Sequence, residues 1–323
     1  MPHGRPRILV PGKMSQRVLD RLPDYFESVF VTAADPALVT ADLASGVSGI
    51  AVQGKIPAEF IDAFSNLEII ANFGVGYDGV DAGHAARRGV VVTNTPDVLT
   101  EEVADTAIGL LLNTLRRFPA AEQWLRQGLW AKDGAFALSP LTLRGRTVGL
   151  YGLGRIGLAI ARRLEAFGVS IAYHTRTPRE GLDYTHYPTL KGMAEAVDTI
   201  IVIVPGTEST RRTINAEILE ALGPQGVLIN VGRGTTVDEA ALADALQRGV
   251  IAAAGLDVFE SEPYVPDALL ALPNASLLPH VGSASQATRD AMADLVVDNL
   301  VAWFETGAAL TPVAETPFKR RTA

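Results

Sequence analysis

Short apolar segments rich in β-branched residues alternate with helical patterns along the whole 323-residue chain. This alternation is typical of α/β proteins with parallel sheets. Many of the segments are apolar at every position, which indicates strands whose sheet is covered by helices on both faces. A chain of this length exceeds what a single hydrophobic core usually supports, so the sequence predicts two domains.

The candidate strands fall into two series. The first series contains RILVP, SVFVT, GIAVQG, LEIIANF and VVVTN. The second contains TVGLYG, VSIAYHT, TIIVIVP, GVLINVG, IAAAGLDVF and ASLLPHV. A helical pattern that begins near residue 287 then leaves the second series, and its simplest packing is against the first domain. We therefore predict a discontinuous domain of residues 1–99 plus 287–323, and an inserted domain of residues 100–286.

The segment that joins the two series, residues 100–118, predicts one long helix. Thr100 is a suitable N-cap, and Glu101 and Glu102 follow in the first turn, where the helix dipole favours acidic side chains. We expect Pro119 to end this helix.

A glycine-rich turn, GLGRIG, follows the first strand of the second series and opens an amphipathic helix. In this context the spacing predicts a dinucleotide-binding turn. Gly152 would permit the tight turn, Gly154 would let the backbone approach a pyrophosphate, and Gly157 would let helix and strand pack closely. The alternative is an ordinary tight connection between a strand and a helix. The inserted domain is therefore predicted to be a Rossmann-type cofactor domain.

The position that selects between NAD(H) and NADP(H) lies about 20 residues beyond the first glycine of such a turn. Here it is His174, followed by Thr175, Arg176 and Thr177, with no acidic residue to repel a 2′-phosphate. An arginine with short hydroxyl donors suits a phosphate dianion. The loop predicts a preference for NADP(H), with NAD(H) use possible. The alternative is a solvated basic loop without ligand preference.

Composition excludes several other classes of protein. The chain has no cysteine, which rules out disulfides, thiolate metal sites and cysteine nucleophiles, and we expect no metal site. A formal net charge of −8 argues against nucleic-acid binding and against an anionic membrane surface. No apolar run is long enough for a signal peptide or a membrane span, so a cytoplasmic protein without membrane partners is expected.

Three polar residues follow three different strands of the second series. Arg233 lies in LINVGRG, Glu262 in LDVFESEP and His280 in LLPHVGS. Each has an ordinary interpretation: a helix-capping arginine, a loop glutamate and a structural histidine. However, parallel strands deliver all three to the same sheet edge, where open α/β sheets bind their ligands. We therefore interpret them as a catalytic set.

The motifs that carry these residues resemble those of the D-isomer-specific 2-hydroxyacid dehydrogenases. NFGVGYDGVD and VTNTPDVLTEEVAD in the first half resemble motifs of the same family, so the similarity spans nearly the whole chain. HTRT and SEPYVPDALLALPN are most similar to the glyoxylate, hydroxypyruvate and hydroxyphenylpyruvate reductases, which favour NADPH. The resemblance implies reduction of small 2-oxo acids to D-2-hydroxy acids, with a flavodoxin-like substrate domain.

The resemblance also implies roles for individual residues. Arg233 and His280 would bind substrate and act with Glu262 in catalysis, and Asp257 would lie near the nicotinamide. The backbone at Val75 and Gly76 would contact the substrate carboxylate. Glu262 bonded to His280 would favour the protonated imidazole. We further expect cofactor contacts from residues beside the glycines or after strands of the second series, namely Arg155, Ile156, Val204, Pro205, Val231, Gly232 and Gly282.

Residues 121–140 carry two tryptophans and a phenylalanine outside any strand pattern. On a monomer they would form an exposed apolar patch, and in the family a similar segment reaches a partner subunit. We therefore expect a homodimer; the alternative is a loop folded on its own domain.

Two other functions stay open at this point. A cofactor-sensing regulator on the same scaffold can retain the arginine, glutamate and histidine, although this chain has no basic arm for a partner. Formate and phosphite dehydrogenases are the enzymatic alternatives, but the formate enzymes have glutamine in place of Glu262.

Overall fold

The protein, described as a computed structural model over residues 4–319, consists of two compact units. The first unit contains the residues up to Leu99 and those from Ser285 onward, and the second spans Thr100–Ala284. The chain returns to the first unit two residues earlier than predicted, at the N-cap of the last helix.

Each unit is built on one open sheet, and the pairings between the strands of these sheets are parallel. The first sheet contains β1 (Arg7–Pro11), β2 (Glu27–Val31), β3 (Val47–Val52), β4 (Ile69–Asn72) and β5 (Val91–Thr93). The second contains β6 (Thr147–Tyr151), β7 (Ser170–His174), β8 (Thr185–Tyr187), β9 (Thr199–Val202), β10 (Val227–Asn230), β11 (Ala253–Leu256) and β12 (Ala275–Leu277).

Helices connect and cover these strands. They are α1 (Gln16–Tyr25), α2 (Ala41–Gly46), α3 (Ala58–Asp62), α4 (Ala82–Arg87), α5 (Thr100–Arg116), α6 (Phe118–Arg126), α7 (Leu129–Asp133), α8 (Arg155–Ala166), α9 (Leu190–Ala196), α10 (Ala216–Leu222), α11 (Glu239–Arg248), α12 (Asp267–Leu270) and α13 (Gln286–Thr306). No helix within residues 4–319 is long and apolar enough to cross a lipid bilayer.

The strand orders confirm the predicted fold class. The first sheet has the order β2-β1-β3-β4-β5, which is the flavodoxin-like order. The second has the order β12-β11-β10-β9-β6-β7-β8. The chain leaves β6 toward β7 and β8 and then returns to β9 on the other side of β6. Beyond the carboxyl ends of β6 and β9 lies the switch point at which open α/β sheets bind ligands.

The sequence missed one strand of the second sheet. β8 is only three residues long, THY, and contains no apolar run. It forms the sheet edge beside β7, where Tyr173 pairs with His186 and His174 pairs with Tyr187. A short edge strand needs no continuous apolar stretch, because one of its sides has no strand neighbour.

The predicted helix of residues 100–118 is two helices. α5 ends at Arg116, and Arg117 has a left-handed backbone with φ of 55°. Pro119 lies in the first turn of α6 rather than ending α5. Proline is well tolerated there, because the first N–H groups of a helix have no partner within it.

The last helix packs against the first unit, as its pattern predicted. α13 contacts α1 and the strands β3 and β4. Arg21 of α1 bonds to Asp294 and Asp298 of α13, and Trp303 donates its indole N–H to Glu68 at 3.1 Å. These contacts join the two chain segments of the discontinuous unit.

Candidate active site

The glycine turn lies between β6 and α8 in the second unit. Gly152 has a φ of 102°, and a Cβ on it would lie 2.8 Å from the carbonyl oxygen of Ile203. A Cβ on Gly157 would lie 2.6 Å from the carbonyl oxygen of Gly152. The fold itself therefore requires both glycines. By contrast, a Cβ on Gly154 would meet nothing within 4 Å, so no packing contact explains this glycine. Open space beside the N-terminus of α8 fits a pyrophosphate.

The predicted cofactor residues of the second unit lie beyond the carboxyl ends of its strands. β6 is followed by Gly152, Gly154, Arg155, Ile156 and Gly157, and β7 ends with His174 and is followed by Thr175, Arg176 and Thr177. β9 is followed by Val204 and Pro205, β10 by Val231 and Gly232, β11 by Asp257 and β12 by Gly282. Val204 is close to two of the glycines, since a Cβ on Gly152 or Gly232 would lie about 3 Å from it. The carboxyl ends of β6, β9 and β10 therefore lie close together.

The loop after β7 carries the residues expected to select the cofactor. The ring of His174 stacks on Tyr151 with centroids 5.6 Å apart, and its Nδ1 lies 2.9 Å from the carbonyl oxygen of Tyr187. A carbonyl oxygen only accepts hydrogen bonds, so Nδ1 carries the proton. The Arg176 side chain is exposed and has no hydrogen bond or ion pair within residues 4–319. This guanidinium is therefore available to a phosphate.

Glu262 and His280 form the hydrogen bond that the sequence predicted. Oε2 of Glu262 lies 2.7 Å from Nδ1 of His280, and Oε1 accepts the backbone N–H of Phe259 at 3.0 Å. Burial raises the pKa of Glu262, but the two hydrogen bonds and the nearby positive charges together outweigh it and hold this pKa below its usual value. Glu262 is therefore an ionised acceptor at neutral pH, and Nδ1 of His280 is the donor.

The backbone at His280 has a left-handed conformation with φ of 53°. Such a conformation costs a non-glycine residue about 1 kcal/mol or more and requires support from its surroundings. Asp257 supplies that support: its carbonyl oxygen accepts the N–H of His280, and its carboxylate accepts the N–H groups of Val281 and Gly282 at 2.7 and 2.8 Å. Burial raises the pKa of Asp257, while these two amides act in the opposite direction.

Arg233 follows β10 and lies against the loop after β9. A Cβ on Gly206 would lie 3.0 Å from Cγ of Arg233. The carbonyl oxygen of Arg233 accepts hydrogen bonds from the side chains of Asn230 and Thr236. Its Nη1 donates to the carbonyl oxygen of Gly232 at 2.9 Å. The Arg233 charge also acts, weakly, to lower the pKa of Glu262. The second unit thus brings Arg233, Glu262 and His280 to one sheet edge.

The sequence did not identify the two asparagines that shape the loop of Val75 and Gly76 in the first unit. Nδ2 of Asn72 donates to the carbonyl oxygens of Gly74 and Gly76, each at 3.1 Å. Nδ2 of Asn94 donates to the carbonyl oxygen of Val75 at 2.7 Å. The N–H groups of Val75 and Gly76 make no hydrogen bond within residues 4–319. Successive N–H groups left unpaired in this way can bind an anion. The available signal was an asparagine that ends an apolar strand, as Asn72 does, or directly follows one, as Asn94 does.

Comparison with known proteins assigns the family. The model of the NAD binding domain of D-isomer specific 2-hydroxyacid dehydrogenases matches residues 108–282, just over half of the chain.

This chain belongs to the D-isomer specific 2-hydroxyacid dehydrogenase family. It is therefore an NAD(P)-dependent oxidoreductase. Glyoxylate/hydroxypyruvate reductase A of Arabidopsis thaliana is 50% identical over 256 residues, 79% of this chain and 81% of that protein. Glyoxylate reductase of Thermococcus onnurineus is 40% identical over 312 residues, 93% of each chain.

One similar structure has been solved with ligands. The NADPH-dependent glyoxylate/hydroxypyruvate reductase of Sinorhizobium meliloti, in complex with NADP and malonate, is 75% identical. It covers 99% of this chain and 100% of its own, with a TM-score of 0.97. The family and fold that the motifs predicted are thus confirmed, whereas the roles of individual residues stay predictions.

The hydrogen bond between Glu262 and His280 gives a prediction about turnover. Glu262→Gln keeps the shape of the side chain but removes the charge that this hydrogen bond helps to maintain. If the pair takes part in proton transfer, this variant should have a lower kcat than the wild type while turnover is retained and NADPH binding is unchanged. A kcat equal to that of the wild type would contradict the pairing.

Proposed function

We propose that this protein reduces small 2-oxo acids, such as glyoxylate or hydroxypyruvate, to D-2-hydroxy acids with NADPH. The observation that carries the proposal is the hydrogen-bonded Glu262–His280 pair, which lies with Arg233 at the sheet edge that also carries the glycine turn. The names of the relatives support the substrate class, since they include reductases of glyoxylate, hydroxypyruvate and hydroxyphenylpyruvate.

The residues of the second unit divide the reaction between them. A bound nicotinamide supplies the hydride that adds to the carbonyl carbon. Arg233 pairs with the substrate carboxylate and polarises the carbonyl oxygen, an interaction that strengthens as negative charge develops there. His280 delivers a proton to that oxygen from Nε2, because Nδ1 is held by Glu262. Glu262 fixes the orientation of the ring through its hydrogen bond to Nδ1.

The loop of the first unit has a separate proposed role. The N–H groups of Val75 and Gly76 would bind a carboxylate, as the family resemblance implies. This role is supported by the absence of a hydrogen-bond partner for these N–H groups within residues 4–319. The carbonyl oxygens of the same loop instead accept hydrogen bonds from Asn72 and Asn94.

For the cofactor we propose a preference for NADP(H), with Arg176 and the hydroxyl of Thr177 at the 2′-phosphate. The hydroxyl of Thr175, expected from the sequence to share this role, donates instead to the carbonyl oxygen of Thr177 at 2.7 Å. The open Arg176 guanidinium supports this, as does the solved relative, which is named NADPH-dependent and contains NADP. Use of cellular NADPH would make reduction the working direction. The cytoplasm is the proposed location, on the sequence alone.

The test of the proposed function is turnover by the purified protein with glyoxylate, hydroxypyruvate, phenylpyruvate and formate. NADPH should be consumed with at least one 2-oxo acid, and formate should not be oxidised. His280→Ala should lower kcat by roughly 10²- to 10⁴-fold, the usual contribution of general acid catalysis, while NADPH binding survives. Binding of cofactor without turnover would favour a cofactor-sensing regulator, and oxidation of formate would favour the formate dehydrogenases.

The cofactor preference gives a second prediction. A charge-assisted hydrogen bond contributes roughly 1.5–3 kcal/mol, and 1.4 kcal/mol is about tenfold, so kcat/KM with NADPH should exceed that with NADH by at least about tenfold. Arg176→Ala should remove most of this ratio. Arg162→Ala is the matched control, because Arg162 is also exposed but pairs with Glu101. Equal use of both cofactors by the wild type would refute the assignment.

We also propose that the protein is a homodimer. Trp130 of α7 is 63% exposed, and Leu138 after it is 94% exposed. In the same unit, α5 and the edge strand β12 border a largely apolar cavity of about 410 Å³. Exposed apolar side chains and an apolar cavity together suit contact with a second copy.

The dimer proposal predicts a solution mass. Light scattering at micromolar concentration should give twice the 34.2 kDa of one chain. Because the proposed contact is apolar, Trp130→Asp combined with Leu138→Asp should shift the mass toward one chain. A wild-type mass of 34.2 kDa would instead mean that the segment folds on its own unit.

A further inference from the structure

A buried tyrosine closes the loop that carries Arg176. Tyr173 lies in β7 with 2% of its surface exposed. Its hydroxyl accepts the backbone N–H of Arg179 at 2.9 Å and donates to the carbonyl oxygen of the same residue at 3.4 Å. The strand end and Arg179 are thereby joined, and the residues between them form a closed loop.

A histidine holds the other side of this loop. Nε2 of His186 in β8 donates to the carbonyl oxygen of Thr175 at 3.1 Å. The His186 ring also packs on Tyr173, with centroids 5.0 Å apart and planes tilted by 52°. Within the loop, Thr175 donates its hydroxyl to the carbonyl oxygen of Thr177 at 2.7 Å. The backbone on both sides of Arg176 is thus fixed by side chains that lie outside the loop.

The side chain of Arg176 is open, whereas the backbone that carries it is fixed. Its guanidinium is exposed and unpaired within residues 4–319, while the backbone that carries it is tied at Thr175 and at Arg179. A fixed backbone beneath an open side chain lowers the entropy that is lost when an anion binds. By contrast, the hydroxyl of Tyr184 near β8 bonds to Glu165 of α8 and not to the loop.

We propose that Tyr173 and His186 are positioning residues that determine cofactor selectivity by fixing the loop of residues 175–179 for the 2′-phosphate of NADPH. They contact the loop and not the phosphate. The inference rests on the proposed role of Arg176 in phosphate binding. It adds that selectivity depends on a tyrosine hydroxyl and on a histidine of the edge strand.

The experiment measures dissociation constants of NADPH and NADH for the full-length protein by nicotinamide fluorescence. Tyr173→Phe keeps the ring and removes the hydroxyl. Losing one such hydrogen bond should raise the Kd for NADPH roughly three- to tenfold, while the Kd for NADH changes less than about twofold. His186→Ala should act in the same direction. Tyr184→Phe is the matched control and should leave both constants unchanged, since it removes a tyrosine hydrogen bond that is not made to the loop.

A double-mutant cycle of Tyr173→Phe and Arg176→Ala tests this inference separately from the assignment of Arg176 to the 2′-phosphate. In an Arg176→Ala background, Tyr173→Phe should have little further effect on the Kd for NADPH, because the loop then lacks the guanidinium that is assigned to the 2′-phosphate. If Arg176→Ala alone leaves the ratio of the two constants unchanged, the phosphate assignment is wrong. Two results would overturn the positioning role when Arg176→Ala does lower the ratio of the Kd for NADH to the Kd for NADPH. One is that Tyr173→Phe raises both Kd values by the same factor. The other is that Tyr173→Phe has its full effect on the Kd for NADPH in the Arg176→Ala background.

Discussion

The hydrogen bond between Nδ1 of His280 and Glu262 is the interaction on which the proposed chemistry depends. It leaves Nε2 as the ring nitrogen that can exchange a proton with a substrate, and it places an ionised carboxylate beside the imidazole. His280 has a left-handed backbone, and Asp257 supports this conformation by accepting three successive amide N–H groups. Asp257 is thus a structural support of His280, in addition to its expected place near the nicotinamide.

Parallel strands explain how distant residues reach this edge. Arg233, Glu262 and His280 follow β10, β11 and β12, which are neighbours in the sheet. The glycine turn follows β6, two strands away from β10. Because parallel strands end on the same side, one sheet edge carries both the glycine turn and these three residues, and loops can vary without loss of the framework.

Most of the fold was predictable, because continuous apolar strands and the glycine turn have strong local signals. The positions of Arg233, Glu262 and His280 at one sheet edge were predictable for the same reason, since each follows such a strand. β8 was missed because an edge strand of three residues needs no apolar run, and the break after α5 was missed because Pro119 can begin a helix as well as end one. Asn72, Asn94 and Tyr173 act through hydrogen bonds to backbone atoms, which leave no periodic pattern in a sequence.

The most direct test is the tautomer of His280, measured by ¹⁵N NMR of the histidine rings across pH, with His280→Gln used to assign the signals. Free imidazole side chains can carry the neutral proton on either nitrogen, but a bond to an ionised Glu262 requires it on Nδ1. The neutral form of His280 should carry its proton on Nδ1 and none on Nε2. A neutral His280 protonated on Nε2 would contradict this prediction.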